Sequence, residues 1–359
     1  MIDTEPSSFL ARLLDAPGPS GFELPAARVW RTEAETVADR LEVDLSGNSI
    51  AILNPEGSPR VMLAGHVDEI GLIVTHIDSD GFLYFDGIGG WDSQVLVGQR
   101  VRLQGQNGEV PGVIGKKPIH LMKADERDKV SKITDLWIDV GASNREAAAA
   151  LGLRVGDPAV LDARMLRVGE DRIVSRAIDN RIGAFVVLEA LRLLAGRDPR
   201  PGACVAAVAT TQEEIGYHGG GARTSAHRFR PEIALVVDVT FATDSPQMDK
   251  NQVGEHKLGG GPVLGRGSAI HPLVFERLAE VARSASIPHT IQANARATHT
   301  DADAIHLSRD GVATGVVSVP NRYMHSPNEM VSLADLEAAA RLLAEFVISL
   351  DAGSDFIPR

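Results

Sequence analysis

An α/β fold is predicted from two patterns in the sequence, with a mixed-sheet domain interrupted by a small β-barrel or β-sandwich. Helices and apolar strands are indicated before residue 69, and they alternate again from about residue 166. Between these segments, short β-rich runs are separated by glycines and helical periodicity is largely absent. We therefore expect a discontinuous domain of residues 1–68 and 166–359, with residues 69–165 inserted as a β-rich module.

The segment before the insert is expected to supply two helices and three strands. Apolar residues recur at helical spacing over 8–15 and 24–40, and the Pro- and Gly-rich stretch 17–21 breaks the chain between them. Short β-rich or apolar runs predict strands at 41–45, 50–54 and 61–64.

The insert and the segment after it differ in the spacing of their apolar residues. Within the insert, the sequence predicts strands at 71–74, 82–85, 100–103 and 136–140. After the insert, it predicts helices at 180–195, 272–285 and 332–350 and strands at 203–210, 233–238 and 313–319. The second pattern is typical of a sheet that is covered by helices.

Composition argues against several classes of partner. The 359 residues include 36 Lys and Arg against 48 Asp and Glu, a formal net charge of −12. Nucleic acid is therefore not the expected main partner, because phosphate binding needs clustered Lys and Arg. The N-terminus lacks a basic stretch and an apolar signal core, and no apolar run approaches the ~20 residues of a membrane span. We expect a cytoplasmic protein without a membrane partner.

Histidines and carboxylates stand beside the ends of the predicted elements. His66 and Asp68 follow strand 61–64, Glu213 and Glu214 follow strand 203–210, Asp238 closes strand 233–237, His325 follows strand 313–319 and Asp179 precedes helix 180–195. Ligands of open α/β sheets bind beyond the carboxyl ends of the strands, so these residues could converge on one site. Two histidines and several carboxylates suit two divalent ions such as Zn, Co or Mn, and one carboxylate could bridge them.

The dipeptide Glu213-Glu214 is the most informative part of this set. Adjacent side chains of an extended chain point in opposite directions, so one carboxylate could bind a metal ion while the other acts as general base. Plain structural explanations exist for each residue alone: a solvated acidic pair here, a helix N-cap for Asp179 and a turn histidine for His325. The placement of the whole set at successive strand ends favours the metal site.

Six short motifs, in chain order, give the sequence a resemblance to a known family. They are Gly65-His66-Val67-Asp68-Glu69-Ile70-Gly71, Ile88-Gly89-Gly90-Trp91-Asp92, Arg176-Ala177-Ile178-Asp179-Asn180-Arg181, Thr211-Gln212-Glu213-Glu214-Ile215-Gly216, Thr300-Asp301-Ala302 and Arg322-Tyr323-Met324-His325-Ser326-Pro327. Together they resemble the tetrahedral (TET) aminopeptidases of metallopeptidase family M42. This family includes glutamyl and deblocking aminopeptidases and proteins once named cellulase M. The match runs almost from end to end of the chain.

The resemblance implies a mixed-sheet, zinc-peptidase-like catalytic domain and a role for each candidate residue. One ion would be held by His66, Asp179 and Asp238, and the other by Asp179, Glu214 and His325. Glu213 would be the general base that activates the bridging water and then protonates the leaving amine. Asp68 would orient His66.

The resemblance also implies a reaction and an assembly. The reaction would be hydrolysis of the N-terminal peptide bond of short peptides with a free N-terminus, with water activated between two divalent metal ions. Residues 69–165 would be a dimerisation and assembly domain, and dimers would build a twelve-subunit tetrahedron. Family members tend to have a cis peptide bond after the bridging aspartate, which here is the bond between Asp179 and Asn180.

The preferred N-terminal residue is left open by these motifs. Arg322, Tyr323 and His120 are the candidate substrate-binding residues. An acidic preference would need a nearby cation, for which Arg322, Arg266, Arg296 and Lys117 are candidates. His299 stands before Thr300 where the family pattern has a small residue, on the expected substrate side. Acidic, aliphatic and broad specificity all remain possible, and so do all three metals.

Three other functions remain open at this stage. An amide hydrolase of N-acylated amino acids would tolerate a blocked amine. A non-catalytic assembly protein would bind metal without turnover. A glycoside hydrolase would also use paired carboxylates, but an aromatic content of 4% argues against an extended sugar groove.

Overall fold

The computed structural model describes residues 2–216, 219–351 and 353–359, which form ten α-helices and seventeen β-strands. The helices are α1 (Phe9–Asp15), α2 (Leu24–Ala34), α3 (Ala124–Arg127), α4 (Arg145–Ala150), α5 (Ile178–Ala195), α6 (Gly220–Phe229), α7 (Lys250–Val253), α8 (Pro272–Ser284), α9 (Ala302–Ile305) and α10 (Leu333–Ile348). None of these helices, within the described residues, has the length and apolarity needed to cross a membrane.

The strands outside the insert are interspersed with the longer helices, and those within it are interrupted by the short helices α3 and α4. They are β1 (Arg40–Val43), β2 (Ser49–Leu53), β3 (Arg60–His66), β4 (Gly71–Ile77), β5 (Leu83–Ile88), β6 (Arg100–Gly105), β7 (Gly108–Lys116), β8 (Leu136–Asp139), β9 (Pro158–Leu161), β10 (Leu166–Val168), β11 (Arg172–Ser175), β12 (Cys204–Thr210), β13 (Ile233–Phe241), β14 (Val263–Gly267), β15 (Thr290–Asn294), β16 (Ala313–Asn321) and β17 (Glu329–Ser332).

Eight strands form the central mixed sheet in the order β1-β2-β12-β3-β13-β16-β14-β15. The strands β12, β3, β13 and β16 run parallel and are buried along nearly their whole length, which explains their continuous apolar runs. In the register of this sheet, Thr210 lies opposite His66 and Val236 lies opposite Ala64. Asp238 comes two residues after Val236, and His66 comes two residues after Ala64. Asp238 therefore lies beside His66, on the same face of the sheet.

The strands from β4 to β9 close into a separate six-stranded antiparallel barrel in the order β4-β5-β8-β7-β6-β9. The barrel has its own apolar core, to which Leu72, Phe85, Leu103 and Ile138 contribute. The predicted fold class is confirmed: a mixed α/β domain carries a small closed barrel. Of the two forms expected for the insert, the barrel is the one observed.

Helix α5 packs across the central sheet, against β3, β12 and β13, and α10 packs against α5. On the sheet side of α2, the indole Nε1 of Trp30 donates a hydrogen bond of 2.8 Å to the carbonyl of Ala184 in α5. A small antiparallel sheet, β10-β11-β17, places Glu329 opposite Ser175, just before the start of α5. These contacts bring the start of α5 next to the carboxyl ends of the parallel strands.

Some element boundaries differ from the sequence prediction because strand pairing overrides local periodicity. Helix α2 ends at Ala34 and not at 40, since the Asp39 N–H donates to Ile52 and β1 starts at Arg40. Strand β13 continues to Phe241, paired along β16, so Asp238 lies inside its strand. Helix α5 starts before Asp179, whose own backbone is not helical. The strands that the sequence did not predict are β7, β9, β10, β11, β14, β15 and β17.

The backbones of β3 and α5 approach each other at Gly65 and Gly183. A Cβ atom on Gly65 would lie 2.4 Å from the carbonyl carbon of Gly183, closer than any real contact. Gly65 precedes His66, and Gly183 lies one helical turn after Asp179. The absence of a side chain at Gly65 thus sets the distance between two segments that carry candidate site residues.

We expect the substitution Gly65→Ala to lower the free energy of unfolding by about 1–3 kcal/mol, because it forces α5 away from β3. Urea unfolding, followed by circular dichroism, measures the change. The matched control is Gly202→Ala, where an added Cβ meets no atom within 4 Å. Equal stability of the two variants would show that β3 and α5 can separate without cost.

Candidate metal centre

Six polar side chains meet at the carboxyl edge of the central sheet. His66 ends β3, Glu213 and Glu214 lie in the loop after β12, and Asp238 lies in β13. Asp179 lies in the first turn of α5, and His325 lies in the loop before β17. The sequence predicted these six residues as the site, and the fold brings all six into contact. They lie apart in the sequence and converge because neighbouring parallel strands end at one edge.

His66 lies at the centre of the first half of this cluster. Its Nε2 atom is 3.4 Å from Oδ1 of Asp179, 3.6 Å from Oε2 of Glu213 and 3.9 Å from Oδ1 of Asp238. The histidine is 1% exposed, so these carboxylates face it in a space that solvent barely reaches.

His325 occupies the corresponding position in the second half. Its Nε2 atom is 3.3 Å from Oε2 of Glu214 and 3.4 Å from Oδ2 of Asp179. The two oxygens of Asp179 therefore face two different histidines, Oδ1 toward His66 and Oδ2 toward His325. A carboxylate in this position can bridge two cations.

Both histidines are oriented through Nδ1 by a backbone carbonyl. Nδ1 of His66 lies 3.2 Å from the carbonyl oxygen of Asp68, and Nδ1 of His325 lies 2.9 Å from that of Gly90. A carbonyl only accepts, so Nδ1 carries the proton and the lone pair of a neutral ring is on Nε2. This arrangement is typical of metal-binding histidines. Gly90 belongs to the insert, which thus orients a residue of the site.

The carboxylates of the cluster crowd one another. Burial raises the pKa of Glu213 to about 10, and repulsion from Asp238 and Asp301 adds to this. Burial and the charge of Asp179 raise the pKa of Glu214 to about 7. For Asp179 burial acts in the same direction. Without a cation, however, the rings of His325 and His66 can carry a proton on Nε2 as well, and their hydrogen bonds and positive charge then hold the pKa of Asp179 at about 2. A site with this excess of negative charge is stabilised by cations.

The donor atoms fit divalent cations. Among the residues that the structure describes, two groups have ligand atoms within 4.8 Å of one another, namely His66 with Glu213 and Asp238, and His66 with Asp179 and Glu214. Oε1 of Glu214 is buried and has no hydrogen-bond partner among the described residues, so its lone pairs are available to a cation. Imidazole nitrogen and carboxylate oxygen are suitable ligands for Zn, Co or Mn.

Asp68 holds the backbone of the loop that carries Glu213 and Glu214. Its carboxylate accepts the backbone N–H groups of Glu213 at 3.2 Å and Glu214 at 3.1 Å, and a hydrogen bond of 2.5 Å from Ser20. The loop that carries the two glutamates is thereby fixed. Asp68 thus contacts its predicted partner His66 through its carbonyl and through its carboxylate, whose Oδ1 lies 3.4 Å from Nδ1. Its contact with the glutamate loop was not predicted.

Glu329 is a residue of this site that the sequence reasoning missed. One oxygen of its buried carboxylate accepts the backbone N–H of Asp179 at 3.0 Å, and the other accepts that of His325 at 2.9 Å. Glu329 thereby holds the start of α5 next to the loop that carries His325, on the His325 side of the cluster. The only sequence signal is its position four residues after His325.

The backbone beside these residues has special conformations. The peptide bond between Asp179 and Asn180 is cis, as the resemblance led us to expect. His325 adopts a positive φ of 59°, which a histidine seldom does and which turns its side chain back toward Asp179.

The predicted substrate-binding residues lie outside the cluster. Arg322 forms a two-point ion pair with Asp244, with Nη2 2.8 Å from Oδ2 and Nε 3.0 Å from Oδ1, so its charge is already compensated. Tyr323 is 54% exposed, and His120 is exposed on a short turn at Ile119–Leu121 in the insert. Of the other candidate cations, Arg266 lies 3.5 Å from Glu276.

Two large cavities open beside the cluster. The first, here called the sheet cavity, has a volume of about 450 Å³ and is bordered by Thr240, Phe241, Gln292 and Asn294 as well as by Asp179, Glu213, Glu214, Asp238 and His325. The second, the helix cavity, has a volume of about 1030 Å³ and is bordered by Arg223, His227, Asp303, Leu307 and Arg309. Glu213, His299 and Thr300 border both cavities.

The fold and the cluster together define an α/β protein with a buried cluster of histidines and carboxylates that could hold divalent cations. The sequence pattern of the M42 glutamyl aminopeptidases matches residues 47–342, and the chain belongs to this family. The predicted family is confirmed, and the membership supports an aminopeptidase activity.

Similar proteins agree with this assignment. The lysyl aminopeptidase of Pyrococcus furiosus is 36% identical over 361 residues, which cover 100% of both chains. The TET aminopeptidase of Thaumarchaeota archaeon SCGC AB-539-E09 is 37% identical, with a TM-score of 0.91 over 96% of each chain. The TET1 peptidase of Pyrococcus horikoshii, which can assemble into a tetrahedron or a large octahedral shell, is 32% identical, with a TM-score of 0.84 over 95% of this chain and 99% of its own.

We expect Glu329→Gln to weaken the binding of divalent cations by about 10- to 100-fold, as loss of an outer partner of a metal ligand does. The amide offers one acceptor oxygen, so its NH₂ group would face the N–H of either Asp179 or His325. Competition with a chromogenic chelator measures the affinity. The control is Glu280→Gln on the exposed face of α8. An unchanged affinity in folded Glu329→Gln protein would show that the two N–H contacts do not matter for binding.

Proposed function

We propose that the chain is a dinuclear metallo-aminopeptidase that removes the N-terminal residue of short peptides. The observation that carries this proposal is the position of Asp179 between the two histidines. One of its carboxylate oxygens faces His66 and the other faces His325. One cation would be held by His66, Asp179 and Asp238, and the other by Asp179, Glu214 and His325. The cations would be Zn, Co or Mn.

The two adjacent glutamates differ in ways that support separate roles. Glu214 has 5% of its side chain exposed and lies against His325. Glu213 has 19% exposed and borders both cavities. A ligand needs a fixed, enclosed position, whereas a general base must reach both water and substrate. Glu214 is therefore the proposed ligand and Glu213 the proposed base, although Glu213 is also close enough to His66 to approach a cation.

The proton chemistry is assigned to Glu213. Bound cations would oppose the burial that raises the pKa of Glu213 and would keep this group ionised. Its carboxylate then takes a proton from water as the water oxygen adds to the carbon of the scissile carbonyl. The same carboxyl group then donates that proton to the peptide nitrogen while the C–N bond breaks, which gives a free amino acid and a shortened peptide. Bound cations would supply Lewis acidity for the carbonyl and for the water. Asp68 keeps the backbone of Glu213 in place through its N–H contact.

The sheet cavity is the proposed site for the N-terminal side chain, because it borders the proposed ligand residues. Thr240, Phe241, Gln292 and Val316 contribute to its walls, and no Lys or Arg of the described chain borders it. With Arg322 held by Asp244, we propose a preference for uncharged N-terminal residues over acidic ones.

Assembly is proposed from the relatives. The TET1 peptidase of Pyrococcus horikoshii can form a tetrahedron, and the present chain covers 99% of it. We propose a homo-oligomer, a twelve-subunit tetrahedron, in which residues 69–165 form the dimerisation and assembly domain. Residues 1–68 and 166–359 would be the catalytic domain, in the cytoplasm.

We expect aminoacyl-anilides with a free amine to be hydrolysed, N-acetylated analogues to resist, and chelation to abolish turnover until Zn, Co or Mn is returned. Substrates with a neutral N-terminal residue such as Leu should be cleaved about tenfold or more faster than those with Glu, because no Lys or Arg of the described chain borders the sheet cavity to pair with a buried carboxylate. Initial rates over the panel measure this. Equal cleavage of blocked substrates would identify an amide hydrolase. Metal binding without any turnover would favour a non-catalytic assembly protein.

We expect Glu213→Gln to lower kcat by about 10²- to 10⁴-fold, because the amide can neither accept nor donate the transferred proton. Metal content, measured by plasma emission spectrometry on the same sample, should stay at the wild-type value. The exposed substitution Glu280→Gln again serves as control. Wild-type turnover by a Glu213→Gln variant that keeps its metals would disprove the assigned role.

A further inference from the structure

Glu213 lies where the two cavities meet. Of the six clustered residues, five border the sheet cavity, whereas Glu213 is the member that also borders the helix cavity. His299 and Thr300 complete the shared boundary. A substrate that passes this boundary would therefore have one part over the cluster and the other part in the helix cavity.

The position of Glu213 fixes which part of a peptide goes where, provided that the proposed function holds. The carbonyl under attack must lie over the cluster, so the N-terminal residue occupies the sheet cavity. The peptide nitrogen that leaves must come within hydrogen-bond reach of Glu213, which donates its proton. The peptide beyond that nitrogen therefore extends past Glu213 into the helix cavity.

The acidic groups that border the helix cavity are already bonded to donors. The carboxylate of Asp301 accepts the hydroxyl of Thr210. Asp303 accepts the backbone N–H groups of Thr298 at 2.8 Å and His299 at 2.9 Å. Apart from Glu213, these are the carboxylates of the described chain that border this cavity, and both are held by neighbouring donors.

The basic groups of the cavity are less constrained. Arg223 has no hydrogen-bond or ion-pair partner for its side chain among the described residues and is exposed. Arg309 lies 3.5 Å from Asp310, a carboxylate that is 89% exposed, and such a surface pair contributes little. Both guanidinium groups can therefore receive an anion. A guanidinium binds a carboxylate through two parallel hydrogen bonds.

We propose that the helix cavity binds the C-terminal carboxylate of short peptides through Arg223 and Arg309. The cavity volume of about 1030 Å³ exceeds that of the sheet cavity, about 450 Å³, and leaves space for more than one residue beyond the cleaved bond. The substrate class is then a peptide of two to four residues with a free C-terminus. This inference rests on the proposed function and extends it to the leaving side of the substrate.

The test compares peptides of the form Leu-Gly, Leu-Gly-Gly and Leu-Gly-Gly-Gly, each as the free acid and as the C-terminal amide. We expect kcat/KM of the free acid to exceed that of the amide by about tenfold or more for at least one length, chiefly through KM. The readout is the ratio of acid to amide within one preparation, so a loss of active protein cancels. Arg223→Gln and Arg309→Gln should each bring this ratio toward one.

The matched control is Arg283→Gln, an exposed arginine in the last turn of α8, which should keep the wild-type ratio. A wild-type ratio near one at every length would overturn the proposal, and so would a high ratio that both cavity variants retain. Leucyl-anilide has no C-terminal carboxylate, so it tests aminopeptidase activity separately from carboxylate recognition. Hydrolysis of the anilide with a ratio near one rejects only carboxylate recognition, whereas inert anilide and peptides reject the proposed function as well.

Discussion

The arrangement of the site depends on a buried ion-pair cluster around Glu69. This residue follows the strand that carries His66, and its carboxylate pairs with Arg176 and, at 2.8 Å, with Arg181. The two arginines flank Asp179 in the sequence, and all three charged groups are almost completely buried. Removing one partner of such a cluster costs about 3–5 kcal/mol, because a buried charge is left uncompensated. The cluster thus holds the segment around Asp179 against the segment around His66.

The same principle recurs around the rest of the site, where buried carboxylates are bound by backbone donors. Asp68 accepts the N–H groups of the glutamate loop, and Glu329 accepts those of Asp179 and His325. The inner carboxylates are thereby left to face the two histidines. The acidic residues of the site therefore fall into an outer group that fixes the backbone and an inner group that can bind cations. Such support keeps ligands within the narrow tolerance that a metal site needs.

Much of the site was predictable because its residues follow strong local signals. His66, Glu213 and Asp238 lie at or near the ends of apolar runs that form parallel strands, and such ends converge in any sheet of this kind. Contacts between residues far apart in the sequence leave no local pattern. Gly90 and His325 are separated by 235 positions, and Arg322 and Asp244 are separated by 78 positions. The missed strands and the overextended second helix have the same cause. Their states are decided by pairing with distant strands, which local periodicity does not encode.

The central claim is that Asp179 links two cation sites, one beside His66 and one beside His325. Diffraction from crystals soaked in cobalt or zinc, collected at the absorption edge, tests this most directly. We expect two anomalous peaks about 3.5–4 Å apart, the separation typical of paired metal sites, with one oxygen of Asp179 bound to each. A single peak, or two peaks that do not share Asp179, would contradict it.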